Sequence, residues 1–231
     1  MFNNDKNKIK SSKIIGIQFS VLSPDEIRKS SVAEINTRDT YINNKPVLGG
    51  LFDPRMGVLD AGLICPTDGL DYMETPGYFG HIEIARPVFY IQYINTLIKI
   101  LRVICIKCGK LKLSKKKYDF LLKKLPKERW DFIFSHANKI KRCGDETEDG
   151  CGCKQPKKIY KQDLANIYAE WENASGITDN EGVVKEKPTI KLSAETVLRI
   201  LKRMSNEDIE FMGFGPLWAK PEWFICQVLA V

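Results

Sequence analysis

Apolar side chains recur at helical spacing through the middle of the chain. Residues 89–104 are strongly apolar, and their large side chains return every three or four positions, so this stretch predicts a buried helix. Residues 126–140 predict a second helix, with three inward-facing side chains, Trp130, Ile133 and Phe134. A further helix is predicted over residues 161–171.

Serine side chains stand where other helices are expected to begin. Ser23 is followed by Pro24 and, three positions after the serine, by Glu26, which is the arrangement of a capping box. Three more helices are predicted to end near residues 124, 203 and 213, and their capping residues are Ser114, Ser193 and Ser205.

Branched apolar residues predict strands at 13–22, 81–85 and 223–231, the second of them ending at Pro87. Segments rich in glycine, proline or cysteine, 43–75 and 143–156, predict irregular but ordered loops. The polar segment 173–187 predicts an exposed loop. Together these elements indicate an α+β fold.

Composition adds a basic tendency to this picture. The 231 residues are 43% hydrophobic, and 36 basic residues exceed 29 acidic ones, for a net charge of +7. Residues 102–129 alone hold eleven basic and two acidic residues, a local balance of +9. Such a run suits a polyanion such as nucleic acid, although a solvated helix face is its commoner meaning. The sequence has no long apolar run and no secretory signal, so we expect no membrane partner and a reducing compartment.

In a reducing compartment, clustered cysteines bind metal more often than they form disulfides. Two residues separate Cys105 from Cys108, and Gly109 follows, a spacing that turns both sulfurs toward one ion. Cys143 with one later thiol would complete a closed four-thiolate zinc site, structural rather than catalytic. The candidates for that later thiol are Cys151 and Cys153. Ordinary reduced thiols or a redox pair are the alternative.

Other reactive side chains favour structural roles. Cys226 lies in an apolar strand and is expected in the core, and His136 is expected to be a hydrogen-bonded imidazole rather than a ligand. The sequence lacks a Ser/His/Asp set, a phosphate-binding loop and an Asp-rich two-metal sequence. We therefore predict no catalytic residue in this chain.

Short motifs along nearly the whole chain share their order with one known family. They are IGIQFS at 15–20, LSPDEI at 22–27, GLFDPRMG at 50–57, PGYFGHI at 76–82, the Cys105/Cys108 pair, GCG at 150–152, QP at 155–156 and PEW at 221–223. In this order they resemble the N-terminal region of the largest subunit of eukaryotic-type RNA polymerases, near the RNA polymerase II form. The resemblance implies an irregular, zinc-braced clamp module.

The resemblance also implies two structural zinc sites. One is intact here, and its ligands are Cys105, Cys108, Cys143 and Cys151, with Cys153 as an additional thiol. The other is degenerate, and its four ligand positions hold Cys65, Asp68, Thr75 and Tyr78. Since threonine and tyrosine are poor zinc ligands, we expect this loop to be metal-free. Hydrogen bonds of Asp68 and packing of Leu63, Tyr78 and Phe79 should hold it instead. His81 matches a position that is not usually a ligand.

The family's organisation divides the chain into three segments: 1–89, the first part of the clamp core with the degenerate zinc loop; 90–160, the clamp head with the zinc site; and 161–231, the returning clamp core. The lid, the rudder and the catalytic region would follow, so the chain is expected to be a fragment or part of a split subunit. The degenerate loop points to a divergent lineage such as a large DNA virus.

The function implied is that of a mobile clamp that closes over DNA and the RNA–DNA hybrid during transcription. The implied partners are those nucleic acids and the other polymerase subunits, above all the second-largest. The implied cofactor is one zinc ion, with Mg²⁺ only in the complete nucleotidyltransferase. The location would be the nucleus, or a cytoplasmic virus factory or virion for a viral protein, and not secreted.

Exposed basic residues are the candidates for contact with nucleic acid phosphates. They are Lys139, Lys141, Arg142, Lys154, Lys157, Lys158 and Lys161. Together with the basic run 102–129 they are expected to form one basic face. Two alternatives stay open: a stand-alone zinc-ribbon nucleic-acid binder, and a module that docks polymerase subunits or initiation factors through residues 143–156.

Overall fold

The computed structural model describes residues 12–172 and 189–231. Its α-helices are α1 (Pro24–Ser30), α2 (Ile94–Val103), α3 (Pro126–Ala137), α4 (Ala194–Leu201) and α5 (Asn206–Phe211). Its strands are β1 (Ala33–Glu34), β2 (Tyr41–Ile42), β3 (Lys45–Pro46), β4 (Gly80–Phe89), β5 (Lys158–Gln162), β6 (Asn166–Glu170), β7 (Thr189–Leu192) and β8 (Ile225–Ala230). Helices and strands are thus mixed, as expected of an α+β fold.

The strands of the described residues form two three-stranded sheets and a small hairpin. In the first sheet β4 lies in the centre, parallel to β1 and antiparallel to β8. The second sheet has the order β5-β6-β7 and is antiparallel throughout. The hairpin joins β2 to β3. Because β8 returns to β4, strands from before and after the central helices lie in one sheet.

One hydrophobic cluster joins the helices to the second sheet. Helix α2 packs on β5 and α3, and its residues Leu97, Ile100 and Leu101 are buried. Buried side chains of α4, α5, β5 and β6 belong to the same cluster. Burying one such aliphatic side chain contributes roughly 1.5–3 kcal/mol. This cluster therefore stabilises the part of the fold from which the cysteine loops extend.

The serine caps are confirmed at three helices. Ser23 forms the complete capping box with Glu26, and Ser193 and Ser205 accept hydrogen bonds from backbone N–H groups in the first turns of α4 and α5. The helix predicted to begin at Ser114 is wrong. Residues 114–124 instead form turns and a 3₁₀ segment, Asp119–Lys123, in which Leu121 is fully buried.

The helix predicted over 161–171 is wrong as well. Strands β5 and β6 form a hairpin there, and Asp163 at its turn has a left-handed backbone (φ 56°). Ile167 and Ala169 are buried and alternate with less buried neighbours, which is the period of a strand. Pairing with β7 on the outer side of β6 completes the sheet.

Element boundaries also shift. Strand β4 continues through Pro87, and its pairing with β8 changes register between Glu83 and Val88, where proline's missing N–H is tolerated. Helix α2 begins only at Ile94, after a 3₁₀ turn over Ile91–Tyr93. Helix α3 ends at Ala137, three residues early, with Ile133 fully buried and both Trp130 and Phe134 partly buried.

Two predicted segments near the ends of the described residues have different outcomes. The predicted strand 13–22 is wrong: within the described structure these residues pair with no strand, although the Val21 N–H donates to the Trp218 carbonyl at 3.1 Å, and Ile15 and Phe19 are more than 90% exposed. It lacks a neighbouring strand on which to bury these side chains. The predicted loop 173–187 lies outside the described residues. The predicted C-terminal strand is confirmed as β8, with Cys226 buried in it.

Candidate metal centre

The chain leaves helix α2 and turns back at once through the first cysteine pair. The Cys105 N–H donates to the Lys110 carbonyl at 2.9 Å, and the Gly109 N–H donates to the Cys105 carbonyl at 2.9 Å. Gly109 has a φ of +78°, and a Cβ there would come within 2.9 Å of the Ile200 carbonyl oxygen. Glycine is therefore required for this turn to pack against α4.

A second turn brings the other cysteines to the same place. Arg142 and Lys154 form an isolated antiparallel bridge. Within it the Cys143 N–H donates to the Cys153 carbonyl at 3.0 Å, and the Gly152 N–H donates to the Cys143 carbonyl at 2.9 Å. These bonds fix the separation of Cys143 from Cys151 on one loop.

The four sulfurs form a compact cluster, which we call the four-cysteine cluster (Cys105, Cys108, Cys143 and Cys151). Their Sγ atoms all lie within 4.8 Å of one another. The Cys105–Cys151 sulfur distance is 3.5 Å, and the Cys108–Cys143 distance is 3.7 Å. Zinc–sulfur bonds of about 2.3 Å in a tetrahedron require sulfur separations of about 3.8 Å. The donor set and its spacing therefore fit a metal ion.

The third thiol of the loop 143–153, that of Cys153, lies outside this cluster. The Cys153 Sγ donates to the Lys154 carbonyl at 3.5 Å. All seven cysteines are free thiols, with no disulfide.

Burial makes the cluster an unfavourable place for thiolates that have no cation. Cys105 and Cys143 are at most 1% exposed. Burial raises the pKa of the Cys108 and Cys143 thiols. Cys151 is exposed. The slight burial of its thiol raises the pKa, but hydrogen bonds, first that of the Cys153 backbone, lower it further, and the resulting pKa is about 7. A bound cation would stabilise all four as thiolates.

Two polar side chains beside the cluster were not predicted as site residues. The Gln155 side chain donates to the Cys105 sulfur at 3.1 Å and accepts from the Ile106 N–H at 3.1 Å. Lys112 is only 3% exposed, and its ammonium donates to the Ile140 carbonyl at 3.3 Å. A QP motif marked Gln155 in the sequence, but nothing in the sequence indicates that Lys112 is buried.

The degenerate loop repeats the backbone of the first cysteine turn. The Cys65 N–H donates to the Leu70 carbonyl at 2.9 Å, the Gly69 N–H donates to the Cys65 carbonyl at 2.8 Å, and Gly69 has a φ of +75°. Cys65 is fully buried. The turn therefore forms with Asp68 where the other turn has a second cysteine.

The Asp68 carboxylate lies close to the residues at the other three former ligand positions, Cys65, Thr75 and Tyr78. It accepts hydrogen bonds from the Thr75 hydroxyl at 2.8 Å and the Leu70 N–H at 3.0 Å, and the side chains of Cys65 and Tyr78 lie near enough to act on its charge. The Leu70 N–H, followed by these side chains, lowers the pKa of Asp68. Burial and the neighbouring Asp68 carboxylate raise the pKa of the Tyr78 phenol. We call these four residues the carboxylate-centred loop.

Packing contributes less to this loop than the sequence predicted. Phe79 is 67% exposed, so its predicted packing role is wrong, because it points away from the loop into open surface. Leu63 and Tyr78 are partly buried. His81 lies on β4, where its Nδ1 forms a 2.7 Å hydrogen bond with the Ser31 hydroxyl. His136 likewise is a partnered imidazole, stacked on Phe132 with its Nδ1 at the Phe132 carbonyl.

The seven basic residues proposed for phosphate contact are all exposed. The bridge between Arg142 and Lys154 brings the two halves of the set together, and the Gln155 N–H donates to the Lys141 carbonyl at 2.7 Å. Glu172 lies 3.6 Å from Lys141 and 3.1 Å from Lys157, which offsets part of their charge. Lys158 and Lys161 lie on β5.

The basic run 102–129 exposes less charge than its sequence indicates. Lys110 forms an ion pair with Asp149 at 2.8 Å, and Lys115 contacts both Glu207 and Asp208. Arg102 donates to the Ile159 carbonyl, and Lys112 is buried. A local balance of +9 therefore overstates the basic surface that this run presents.

Within the described residues, no helix is both long enough and apolar enough to cross a bilayer.

Comparison with known proteins relates the chain to one family. Residues 11–231 match the family model described as RNA polymerase Rpb1, domain 1. The chain is 38% identical over 231 residues to the DNA-directed RNA polymerase II subunit RPB1 of Euplotoides octocarinatus, and the aligned region covers 95% of this chain and 46% of that protein. It is 36% identical over 225 residues to the DNA-directed RNA polymerase subunit Rpo1N of Methanocaldococcus jannaschii, covering 93% of this chain and 15% of that protein. The chain thus spans less than half the length of either relative.

Proposed function

The chain belongs to the family of RNA polymerase Rpb1, domain 1, and from this premise we propose that it is the N-terminal clamp segment of the largest subunit of a DNA-directed RNA polymerase. The family match over residues 11–231 is the observation that carries the proposal. The two relatives, both polymerase subunits by name, support it, whereas no observation favours a stand-alone nucleic-acid binder.

The four-cysteine cluster would hold one structural zinc ion. Four thiols within 4.8 Å of one another, two of them buried and all on short turns, support this assignment. A closed set of four thiolates leaves no position for substrate, so the metal would supply folding energy and no chemistry. The zinc would fasten the turn after α2 to the loop 143–153, which are also joined by the ion pair between Lys110 and Asp149.

The complete polymerase would supply the catalysis. This chain would contribute to nucleotidyl transfer by holding DNA and the RNA–DNA hybrid, while Mg²⁺ and the catalytic residues belong to the rest of the enzyme. Its protein partners would be the other subunits, above all the second-largest. The location would be nuclear or cytoplasmic. A viral source gains no support from the two relatives named above.

The three segments predicted from the sequence are retained as proposed parts of the clamp. Residues 1–89 and 161–231 would form its core, since β4 of the first pairs with β8 of the last. Residues 90–160 would form its head, which carries the four-cysteine cluster.

The exposed basic residues around the bridge between Arg142 and Lys154 would contact phosphates. Contact with the backbone alone reads no sequence, and each neutralised phosphate releases counterions, with a slope of about −0.9 per contact in log affinity against log salt. The isolated chain should therefore bind duplex DNA non-specifically, with a dissociation constant of roughly 10⁻⁴–10⁻⁶ M.

Replacing Lys154, Lys157 and Lys158 by Glu tests this surface. We expect DNA binding, followed by fluorescence anisotropy across a salt series, to be lost while zinc content stays unchanged. A matched control replaces three exposed lysines elsewhere, Lys13, Lys29 and Lys45, and makes the same change in net charge. That control should keep most of the binding.

Equal loss in both triple variants would mean that only net charge matters. If the affinity for DNA does not change with salt concentration, or is kept after the charge reversal, the phosphate-contact role is wrong. Docking of subunits or factors would then be favoured. Co-purification with the second-largest subunit tests the broader proposal, because a clamp segment should be retained by that subunit and a stand-alone binder should not.

A further inference from the structure

Lys112 is a buried cation at the seam between the two halves of the four-cysteine cluster. Its backbone N–H donates to the Val103 carbonyl at 3.2 Å, directly beside the bridge between Ile104 and Leu111. Its ammonium reaches across to the Ile140 carbonyl, three residues before Cys143. The side chain therefore spans from the Cys105 turn to the Cys143 loop.

A buried ammonium needs a compensating charge, because leaving water costs it several kcal/mol. Within residues 12–172 and 189–231, no carboxylate lies at ion-pair distance from Lys112. Burial lowers the pKa of the Lys112 ammonium to about 8, and the nearby thiols of Cys105 and Cys143 act in the opposite direction. Four thiolates around one Zn²⁺ carry a net charge of −2, which is equally costly to bury. The positive charge of Lys112 would therefore offset part of the negative charge of the zinc–thiolate centre.

Its neighbour Lys110 shows what an ordinary lysine does here. The Lys110 side chain is 46% exposed and already forms an ion pair with Asp149 at 2.8 Å. Lys110 and Lys112 flank the buried residue Leu111 on the same segment after the Cys105 turn. The thiols of Cys108 and Cys143 act on Lys110 too, but its ammonium is half exposed and paired with Asp149, whereas Lys112 is buried without a carboxylate partner. This difference gives a matched pair for experiment.

Gln155 completes the surroundings of the cluster from the other side. Its Oε1 accepts from the Ile106 N–H, which fixes the orientation of the amide, so the group facing the Cys105 sulfur is the N–H₂ donor. The same nitrogen donates to the Cys153 carbonyl at 3.0 Å. Gln155 is only 8% exposed, so water does not compete for these bonds.

We propose that Lys112 is the counter-charge of the four-thiolate centre and that Gln155 is the hydrogen-bond donor that holds the Cys105 sulfur, so that both residues set how tightly zinc is retained. The inference rests on the proposed zinc site. It extends that site from four ligands to two residues that touch no metal but act on the thiolates.

The test measures zinc transfer from the full chain to a chromogenic chelator, together with equilibrium competition. Lys112→Met removes the charge and keeps an apolar chain of similar length, and Gln155→Met removes the donor. Loss of a group that supports metal ligands typically costs 10–100-fold in metal affinity, and we expect that loss for both variants. Lys110→Met should change affinity by no more than about twofold, because exposed pairs contribute little.

A second variant and a spectrum separate charge from packing. Lys112→Gln keeps a donor for the Ile140 carbonyl but no charge, and it should weaken zinc binding as Lys112→Met does. In cobalt-substituted protein the sulfur-to-metal charge-transfer band should move to longer wavelength in the Lys112 and Gln155 variants, because their thiolates are more electron-rich. A change in packing alone would not move this band.

Each outcome is decisive. If Lys112→Met and Lys112→Gln release zinc at the rate of Lys110→Met, with an unmoved cobalt band, the counter-charge role is wrong. If Lys112→Met is more heat-stable with unchanged zinc affinity, the lysine is only a buried side chain. Wild-type protein without zinc would instead refute the metal site itself, and this inference with it.

Discussion

Two turns of this chain have the same backbone and different side chains. In each, a cysteine N–H donates to the carbonyl five residues later, and the N–H of a glycine four residues after the cysteine donates back to the cysteine carbonyl, at 2.8–2.9 Å. Gly69 and Gly109 occupy the same left-handed position, with φ of +75° and +78°. The turn geometry therefore does not depend on the set of metal donors.

The side chains decide what each turn can hold. Around the Cys105 turn, four sulfurs converge to spacings that fit a tetrahedral ion. Around the Cys65 turn, the Asp68 carboxylate accepts a hydrogen bond from the Thr75 hydroxyl, and the side chains of Cys65 and Tyr78 lie near it. A hydrogen-bonded carboxylate thus holds this loop in place of a metal site, at a smaller expected contribution to stability.

The largest expected effect is the loss of one thiolate from the four-cysteine cluster. Cys108→Ser should abolish zinc binding and unfold residues 105–110 and 143–153, because structural zinc contributes on the order of 10 kcal/mol of apparent binding energy. Metal analysis and hydrogen exchange over these residues measure the effect.

Cys153→Ser is the matched control, since the Cys153 sulfur lies outside the cluster and donates to a carbonyl. It should retain zinc and full protection from exchange. If the two serine variants behave alike, the ligand set is not the one proposed here.

The comparison also predicts a gain of function. Because the two turns share a backbone, Asp68→Cys, Thr75→Cys and Tyr78→His together should give the Cys65 turn a full ligand set and a second zinc ion. The expected result is two zinc ions per chain, with the second site comparable in affinity to the first on the same 10 kcal/mol scale.

The double variant Asp68→Cys with Thr75→Cys leaves only three good ligands and should bind the second zinc more weakly. A triple variant that folds but still binds a single zinc would show that the carboxylate-centred loop differs from a metal site in more than its side chains.

A smaller effect is expected from Asp68→Asn, which keeps the shape but removes the charge that accepts the hydrogen bonds. Since the folded pKa of Asp68 is lowered, its stabilising effect is complete above the ordinary aspartate pKa of about 3.9 and is lost as pH falls through the lower folded value. Exchange over residues 65–78 should therefore be faster in the variant at neutral pH, and wild type should approach it in acid.

Glu74→Gln, at an exposed position of the same loop, serves as the control and should leave exchange unchanged. Exchange must be followed within this loop, because acid also protonates thiolates and releases zinc from the other region. Identical exchange in Asp68→Asn and wild type at neutral pH would remove Asp68 from its central role.

Sequence patterns predicted local features better than distant contacts. Ser23, Ser193 and Ser205 begin helices because a cap acts within one turn of the residue that forms it. Residues 161–171 were mistaken for a helix because the hairpin of β5 and β6 is completed by β7, about twenty residues later in the chain. Residues 13–22 have the composition of a strand but no partner strand in the described structure.

In the candidate metal centre, too, the sequence predicted the local features and missed those that depend on distant contacts. The Cys105 spacing and the family resemblance identified four cysteines, and the fold brings these four together. Their ligation of zinc stays a prediction. Lys112 and Gln155 could not be assigned a role, because burial of a lysine and the direction of one amide depend on packing between segments that are distant in sequence. The same dependence explains why the exposed charge of residues 102–129 was overestimated.

Zinc counted and located by anomalous scattering at the zinc edge, in crystals of the full chain, tests the central difference between the two turns most directly. We expect one peak per chain, within about 2.3 Å of the sulfurs of Cys105, Cys108, Cys143 and Cys151, and no peak at Asp68. A peak at the Cys65 turn, or none at the four-cysteine cluster, would contradict it.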